Sequence, residues 1–318
     1  MRRAGLFALA AALVLMAAAH AAADPIELTA PGPLGRLHGT YLPAGKGAPV
    51  VLIVPGSGPT DRDGNSPLGV RAATYRLIAE GLARRGIASV RIDKRGMFAS
   101  AKAVKDANAV TIAAYAADVR SWIGAIRKTT GARCVWLLGH SEGGLVSLAA
   151  AQKRDGICGV LLVAAPGRRL GDVLRTQLKG NPANAPYLPQ MLEAIKTLEA
   201  GKSVDVNRLA PAVAPLFAPR IQGFMRDLFR HDPARLMADM TLPVLILQGD
   251  NDLQITLEDA QFLVAARPDA KLVLLPDANH VLKSAPKHSV MENLATYANS
   301  DLPLAPGVID ALANFILK

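Results

Sequence analysis

The amino-acid sequence predicts an α/β fold: a doubly wound, mostly parallel sheet with an inserted helical cap. Three observations support this prediction. Short apolar runs alternate with amphipathic stretches of helical length, the pattern of successive βαβ units. Several of the apolar runs end in clusters of Gly, Asp or His. Residues 167–240 instead show helical periodicity without intervening strands, which predicts the cap.

The predicted elements follow one another along the chain on either side of the cap. The core comprises residues 24–166 and 241–318, and it begins with an antiparallel hairpin over residues 28–42. Buried strands are predicted at residues 49–54, 88–92, 134–138, 158–163, 242–249 and 271–276, and core helices at 71–85, 111–129, 256–266 and 306–317. Cap helices are predicted at 167–179, 187–200 and 211–230.

Residues 1–23 have the features of a secretory signal peptide. Arg2 and Arg3 form a positive region, and residues 6–16 form an apolar segment that is too short to span a bilayer comfortably. Ala21 and Ala23 offer cleavage sites. We therefore expect a periplasmic or secreted bacterial protein, without stable membrane insertion.

Composition argues against several classes of partner. The net charge of +10 could suggest nucleic acid, but no basic run is longer than a pair and only 4% of the residues are aromatic. Solvated surface charge explains the balance, and no nucleic-acid partner is expected. The sequence lacks zinc spacings, a phosphate-binding loop and a dinucleotide fingerprint, so we expect neither metal nor cofactor. The oligomeric state stays open.

The most informative motif is the pentapeptide GHSEG at residues 139–143. An apolar run precedes it and a helix-prone stretch follows it. A strand, a tight turn and a helix form the context in which G-x-S-x-G places a serine hydroxyl at the end of a sheet. Ser141 is therefore a candidate nucleophile.

A serine hydroxyl needs a base and an orienting acid to act as a nucleophile at neutral pH. Asp250 and Asp252 follow one predicted strand, and His280 follows the next. The order Ser, Asp, His along the chain is the one found in hydrolases with the strand-turn-helix serine. The spacing from Gly249 favours Asp252 over Asp250, and His288 is the rival for the role of base.

These residues resemble the α/β-hydrolase superfamily, and within it the bacterial esterase-like proteins related to the serine aminopeptidase group. The resemblance covers about residues 47–318. It rests on VPGSGPTDRDGN at 54–65, DKRG at 93–96, GHSEG at 139–143, GDND at 249–252 and NH at 279–280. It implies an α/β-hydrolase fold in which Ser141 is the nucleophile, Asp252 the orienting acid and His280 the general base.

Acyl transfer also needs hydrogen-bond donors aimed at the oxyanion of the tetrahedral intermediate. The backbone N–H of Glu142, the residue after the nucleophile, is one expected donor. The loop after the first core strand should provide the other, and the backbone of Ser57 is preferred, with Gly58 next. Pro55 stands where many lipases have a histidine.

Two charged segments lie beside the predicted site. Residues 61–65 (DRDGN) either form an ion-pair network that rigidifies the oxyanion loop or contact substrate directly. Residues 93–96 (DKRG) are expected to serve as scaffold, because an Arg–Asp pair across the strand ends would fix both loops.

Cys134 and Cys158 are the first residues of two predicted strands. If these strands are neighbours in the sheet, the two cysteines lie at about the same height. They form either a disulfide, which needs some relaxation at the strand ends, or two buried thiols. Neither is expected to be catalytic, because both lie at the end of the sheet opposite the serine.

The cap should determine substrate choice. The stretch 211–230 carries apolar residues at helical spacing, and Phe217, Ile221 and Phe224 are the candidates for an acyl-binding pocket; the alternative is that this face packs on its own core. We expect a serine hydrolase that cleaves small-molecule esters of short to medium acyl length through an acyl-enzyme. The alternatives are a prolyl-type aminopeptidase, a thioesterase or acyltransferase, and a non-catalytic binding protein.

Overall fold

The computed structural model describes residues 24–318, and the predicted signal peptide, residues 1–23, lies outside this range. The strands of the described part are β1 (Ile26–Pro31), β2 (Arg36–Leu42), β3 (Val50–Val54), β4 (Asn65–Ser66), β5 (Val70–Arg71), β6 (Ala88–Ile92), β7 (Val135–His140), β8 (Ile157–Val163), β9 (Val244–Gly249) and β10 (Lys271–Leu275). Its α-helices are α1 (Thr74–Arg84), α2 (Ile112–Thr130), α3 (Glu142–Ala151), α4 (Leu170–Gly180), α5 (Leu188–Glu199), α6 (Pro219–Leu228), α7 (Pro233–Ala238), α8 (Leu257–Ala266), α9 (Val290–Ala295) and α10 (Val308–Ile316). None of these helices has the length and apolar character needed to cross a membrane.

One eight-stranded sheet, in the order β1-β2-β6-β3-β7-β8-β9-β10, organises the molecule. β2 pairs antiparallel with β1 and with β6, and every pairing from β6 across to β10 is parallel. The predicted doubly wound, mostly parallel sheet is thus confirmed. After β3 the chain goes first to β6 on one side and then to β7 on the other. Such a switch in strand order opens a crevice at the carboxyl ends of the strands, here those of β3 and β7.

The sheet separates two apolar cores. Val50, Leu52 and Val54 of β3 point into one core, and Val51 and Ile53 point into the other. All five side chains are at most 2% exposed. Such continuous burial is typical of a parallel strand covered by helices on both faces, and it fixes β3 rigidly beneath the loop that follows it.

The two cysteines form a disulfide, which decides between the alternatives left open by the sequence. Their Cα atoms are 5.2 Å apart. Ile157 faces Val135 and Gly159 faces Trp136, so Cys158 is an extra residue in a β-bulge. The bulge provides the relaxation that a bridge between these strand ends requires. The disulfide lies at the amino ends of β7 and β8, opposite the edge that carries Ser141.

Between β8 and β9 the chain forms α4, α5, α6 and α7 without a strand, in the region predicted as the cap. The single helix predicted over residues 211–230 is wrong. A short 3₁₀ segment, Ala214–Phe217, ends before Pro219, and Ala218 adopts φ −53° and ψ 140°. A residue that precedes proline avoids the helical region for steric reasons, so α6 begins anew at Pro219.

The segment between His280 and α10 has no counterpart in the sequence prediction. It contains α9 and is anchored by buried amides. The side chain of Asn279 donates to the carbonyl and side-chain oxygens of Asn293, and the side chain of Asn293 donates to the backbone carbonyl of Asn251 at 2.9 Å. These bonds fasten the segment to the loops after β9 and β10.

Candidate active site

Ser141 lies in a tight turn between β7 and α3. Its backbone angles are φ 54° and ψ −127°, and a non-glycine residue is strained at such a positive φ. A Cβ on Gly139 would lie 2.3 Å from the carbonyl oxygen of Gly143, and a Cβ on Gly143 would lie 2.2 Å from that of Val54. Glycines at both positions therefore allow the close backbone contacts that hold Ser141 at the carboxyl edge of the sheet.

The structure brings Asp252 and His280 together. Nδ1 of His280 lies 2.8 Å from Oδ2 of Asp252, and both side chains are buried. The backbone N–H groups of Gln254 and Ile255 donate to Oδ1 of Asp252, at 2.7 and 2.9 Å. The side-chain amide of Gln248 also donates to Oδ2 of Asp252, at 3.5 Å, so four donors hold the carboxylate. Nδ1 of His280 is the protonated ring nitrogen because a carboxylate accepts its hydrogen.

The two rival residues point elsewhere. Asp250 accepts a hydrogen bond from the N–H of Asp277 at 2.7 Å and pairs with Lys287 at 2.8 Å, on the outside of the loop. His288 is exposed. Of these four candidates, only Asp252 and His280 therefore have the mutual geometry of an orienting acid and a base.

Ser141 has access to His280 through a shared cavity that both residues line. The hydroxyl of Ser141 makes no hydrogen bond to another residue of the described range 24–318. Hydrogen bonds of catalytic groups often tighten only when substrate binds, so this geometry is compatible with proton transfer from Ser141 to Nε2 of His280.

Two backbone N–H groups beside Ser141 have no partner within residues 24–318, those of Ser57 and Glu142. Glu142 is the first residue of α3, where the helix dipole favours negative charge. Gly56 touches the serine: a Cβ built on it would lie 3.1 Å from Cβ of Ser141. The residues predicted to form the oxyanion hole thus have unpaired donors next to the nucleophile.

A buried chain of hydrogen bonds joins the loops that carry these groups. The N–H of Gly56 donates to Oη of Tyr75 at 2.9 Å, and Oη of Tyr75 lies 2.9 Å from Nδ1 of His140. Nε2 of His140 lies 2.9 Å from the carbonyl oxygen of His280. The sequence analysis did not identify Tyr75, because its partners lie 19 and 65 residues away along the chain.

The groups at the two ends of this series of hydrogen bonds determine which atom carries each proton. The carbonyl of His280 only accepts, so Nε2 of His140 carries the hydrogen; Nδ1 then accepts from the hydroxyl of Tyr75. Burial, together with the neighbouring His280, lowers the pKa of His140 to about 3. His140 is therefore neutral at physiological pH, and the direction of every bond in the chain is fixed.

Buried charged side chains bind the oxyanion loop from the protein interior. Nζ of Lys94 donates to the carbonyl oxygen of Gly56 at 2.6 Å and lies 3.6 Å from Oε1 of Glu142. Oε2 of Glu142 accepts from the hydroxyl of Ser57 at 2.9 Å. Burial lowers the pKa of Lys94, and the carboxylate of Glu142 opposes this shift.

The Arg–Asp pair predicted across the strand ends is present and joins the two charged segments. Arg62 pairs with Asp93 at 2.6 Å, and the backbone N–H of Arg62 donates to the same carboxylate at 3.0 Å. Arg95 pairs with Asp118 of α2 at 2.5 Å. The charged side chains of residues 61–65 do not line the cavity within the described chain, which favours the scaffold interpretation for this segment.

A cavity of ≈ 370 Å³ covers Ser141 and His280. Its surface contains no Asp, Glu, Lys or Arg side chain from the described range. The core contributes Gly56, Ser57, Pro59, Thr60, Gly64, Ser66, Leu68, Val70, Thr74, Tyr75, His140, Gln254, Ile255, Val281 and Tyr297, and the segment between β8 and β9 contributes Leu170, Val173, Leu174, Gln177, Met225, Leu228 and Phe229.

The predicted acyl-pocket residues require a correction, because Phe217, Ile221 and Phe224 do not line this cavity. Phe217 lies before the break at Pro219 and is buried in the hydrophobic core. The ring of Phe224 stands edge-on to Tyr115 of α2, with ring centroids 6.2 Å apart, and so faces the core. The residues that line the cavity instead are Met225 and Leu228, on the adjacent face of α6, and Phe229, which follows the helix.

The described residues offer no evident metal site: no three His, Cys, Asp or Glu side chains cluster in a way that could hold a metal ion.

The chain is similar to known proteins that are described as esterases. The esterase EstD of Thermotoga maritima is 27% identical to this chain over 304 residues, and the alignment covers 92% of this chain and 67% of that protein. Two solved structures share the fold. Est1E from Butyrivibrio proteoclasticus has a TM-score of 0.57 at 16% identity and covers 92% of this chain and 99% of its own. The esterase Pf2001 of Pyrococcus furiosus has a TM-score of 0.55 at 13% identity, with 92% of each chain covered.

The sequence model of one family, described as serine aminopeptidase S33, matches residues 68–284, which is more than half of the chain. This range includes Ser141, Asp252 and His280. The protein therefore belongs to the serine aminopeptidase S33 family, and it has the α/β-hydrolase fold.

Proposed function

We propose that the protein is a serine carboxylesterase that cleaves uncharged esters of short to medium acyl length through an acyl-enzyme. The observation that carries this proposal is an uncharged, mainly apolar cavity over Ser141 and His280, the histidine being held by Asp252. The likeness to the Thermotoga maritima esterase supports it. The cavity of ≈ 370 Å³ is near the lower end of ligand pockets, which suits a small substrate.

In the first half of the reaction Oγ of Ser141 attacks the ester carbonyl while Nε2 of His280 takes its proton. Asp252 accepts from Nδ1 of His280, so Nε2 is unprotonated at the start and the imidazolium is stabilised afterwards. The oxyanion accepts from the N–H groups of Ser57 and Glu142. His280 then gives its proton to the leaving alcohol, and the acyl group remains on Ser141.

In the second half a water molecule attacks the acyl-enzyme. His280 takes a proton from the water, the same two N–H groups stabilise the second oxyanion, and Oγ of Ser141 leaves as it receives the proton. The carboxylic acid is released and the site is restored. In both halves the proton moves between Ser141, His280 and the leaving alcohol or water.

The lining of the cavity favours an ester over a peptide with a free amino terminus. An aminopeptidase has to bind a substrate ammonium group, and burying such a charge without a carboxylate is costly. No Asp or Glu of the described range lines the cavity. Arg175 pairs with both Asp172 and Glu199, at 3.0 Å for the former, so these nearby carboxylates of the predicted cap already have a cation.

We further propose that the protein is exported. The signal-peptide features of residues 1–23 motivate this proposal, and the Cys134–Cys158 disulfide supports it because such bonds persist in oxidising compartments. Protein recovered from the periplasm or the medium should begin near residue 22 or 24. Recovery of the active protein only from the cytoplasm, with residues 1–23 attached, would contradict export.

Replacement of the nucleophile tests the proposed activity. The wild-type protein should hydrolyse p-nitrophenyl acetate and butyrate and should be labelled by a fluorophosphonate at Ser141 alone, and Ser141→Ala should lose both properties. A proline p-nitroanilide with a free amine should be a poor substrate. The thermal midpoint of Ser141→Ala should match that of the wild type, because the substitution removes no packing contact of the core. Ester turnover that survives in Ser141→Ala, or faster cleavage of the free-amine anilide, refutes the proposal.

The two aspartates can be distinguished by matched substitutions. Asp252→Asn should lower kcat by roughly 10⁴ with little change in KM, because the amide disturbs the tautomer of His280 and cannot stabilise the imidazolium. Asp250→Asn is the control, because Asp250 pairs with Lys287 outside the site. We expect it to change kcat less than about threefold. The reverse ranking would assign the orienting role to Asp250.

Truncation of a cavity residue tests where acyl preference resides. Leu174→Ala should lower the ratio of butyrate to acetate hydrolysis, measured as kcat/KM, by roughly tenfold, because the contacts of a methylene with an apolar pocket are worth about 1–3 kcal/mol. Leu216→Ala makes the same chemical change at an exposed position outside the cavity and should leave the ratio unchanged. Phe217→Ala should destabilise the fold by about 3–5 kcal/mol instead. An unchanged ratio in Leu174→Ala would place the acyl pocket elsewhere.

A further inference from the structure

The peptide unit between Gly56 and Ser57 is held from its buried side. Its carbonyl oxygen accepts from Nζ of Lys94 at 2.6 Å, and its N–H is the unpaired donor of Ser57. In a trans peptide the C=O and the N–H point in opposite directions. Because Lys94 binds the carbonyl in the protein interior, the N–H of Ser57 has to face the other way, toward the cavity that Ser57 lines.

The preceding peptide unit is fixed as well. The N–H of Gly56 donates to the hydroxyl of Tyr75 at 2.9 Å, and that hydroxyl is committed to His140. Both peptide planes on either side of the Gly56 Cα are therefore restrained. A glycine without such restraints would have wide conformational freedom, and the N–H of the next residue would lose its direction.

A lysine at this place does more than a neutral donor could. Its side chain is 4% exposed, and in such a low-dielectric environment a cation on a carbonyl oxygen polarises the whole peptide unit and strengthens its N–H as a donor. Glu142 lies 3.6 Å from Nζ and makes the buried charge tolerable. The carboxylate also accepts from the hydroxyl of Ser57. Glu142, a member of the ion pair, is thereby bonded to Ser57, the other residue with an expected oxyanion donor.

We propose that Lys94 is a positioning residue of the oxyanion hole: through the carbonyl of Gly56 it aims and polarises the N–H of Ser57. This inference rests on the proposed esterase function. Lys94 does not touch substrate, and its effect appears when negative charge develops on the substrate oxygen. The loss of an interaction that is made only in the transition state lowers kcat and leaves KM unchanged.

The experiment has to separate this role from simple neutralisation of Glu142. Lys94→Met alone would leave a buried carboxylate unpaired, which is destabilising. We therefore compare Glu142→Gln, which keeps Lys94 without its carboxylate, with the double variant Lys94→Met/Glu142→Gln, which lacks both charges. The thermal midpoint of Glu142→Gln reports what the unpaired lysine costs in stability. The readouts are kcat and KM for p-nitrophenyl acetate, inhibition by an alkyl trifluoromethyl ketone, which forms a tetrahedral oxyanion on Ser141, and the thermal midpoint.

Relative to Glu142→Gln, the double variant should lose about 10- to 100-fold in kcat, somewhat less than the removal of a complete donor, with KM changed less than twofold. The inhibition constant of the ketone should rise by a similar factor. Lys94→Gln/Glu142→Gln should recover part of the loss, because an amide at position 94 is still able to donate to the carbonyl of Gly56.

A neighbouring ion pair provides the control. Arg95 and Asp118 are also largely buried, with side chains 13% and 9% exposed, and the hydrogen bonds of Arg95 within the described residues go to Asp118 and to the carbonyl of Ala114. Arg95→Met/Asp118→Asn should shift the thermal midpoint while kcat stays within about threefold of the wild type. If both double variants lower kcat equally, the loss reflects general loosening of the scaffold and the proposal is overturned.

The proposal also fails if Lys94→Met/Glu142→Gln keeps the kcat of Glu142→Gln, or if its KM rises while ketone inhibition is unchanged. Should the Met-containing pair not fold, the Gln-containing pair decides: a smaller loss of kcat, with a matching rise in the inhibition constant of the ketone, supports the proposal, and an unchanged kcat overturns it. These outcomes are distinct from failure of the esterase proposal, in which the wild-type protein itself would show no Ser141-dependent hydrolysis.

Discussion

The site depends on a backbone contact between the turn after β7 and the loop after β3. A Cβ on Gly143 would lie 2.2 Å from the carbonyl oxygen of Val54, so the first turn of α3 rests directly on the end of β3. This contact is possible because β3 and β7 are parallel neighbours with Val54 opposite Gly139. It places the strained serine, the start of α3 and the oxyanion loop within one small volume.

Buried polar groups then determine the directions of the donors around that contact. The hydrogen bonds from Gly56 to Tyr75, from Tyr75 to His140 and from His140 to His280 link three of the four loops that carry the candidate site residues. Because an unpaired buried polar group is costly, each member of this chain restricts the others. The neutral state of His140 is essential here, since a protonated ring would leave the hydroxyl proton of Tyr75 without an acceptor.

Sequence information was sufficient for features that are local or that repeat along the chain. The glycines and serine of residues 139–143, the strands before and after them, and the Asp and His at the ends of β9 and β10 predicted the fold, which is confirmed, and the candidate triad, which awaits experiment. These features depend on short-range sterics and on periodic burial. Parallel strand ends meet at one edge, so their residues could be placed together without coordinates.

Other features depend on three-dimensional arrangements that sequence spacing does not reveal. The apolar pattern of α6 indicated a buried face but not which side of it meets the cavity, and the break at Pro219 separated Phe217 from the helix. The disulfide required a bulge at Cys158. Lys94 belonged to a recognised motif, yet its contact with the carbonyl of Gly56 joins residues 38 positions apart, and nothing in the local pattern identifies that partner.

The most direct test of this account is a crystal structure of the protein after reaction with a p-nitrophenyl alkylphosphonate. The phosphorus should be bonded to Oγ of Ser141, and its charged oxygen should lie about 2.7–3.1 Å from the backbone nitrogens of both Ser57 and Glu142. The alkyl chain should lie against Leu174 and Met225. An adduct on another residue, or an oxygen that points away from the N–H of Ser57 toward solvent, would contradict the account.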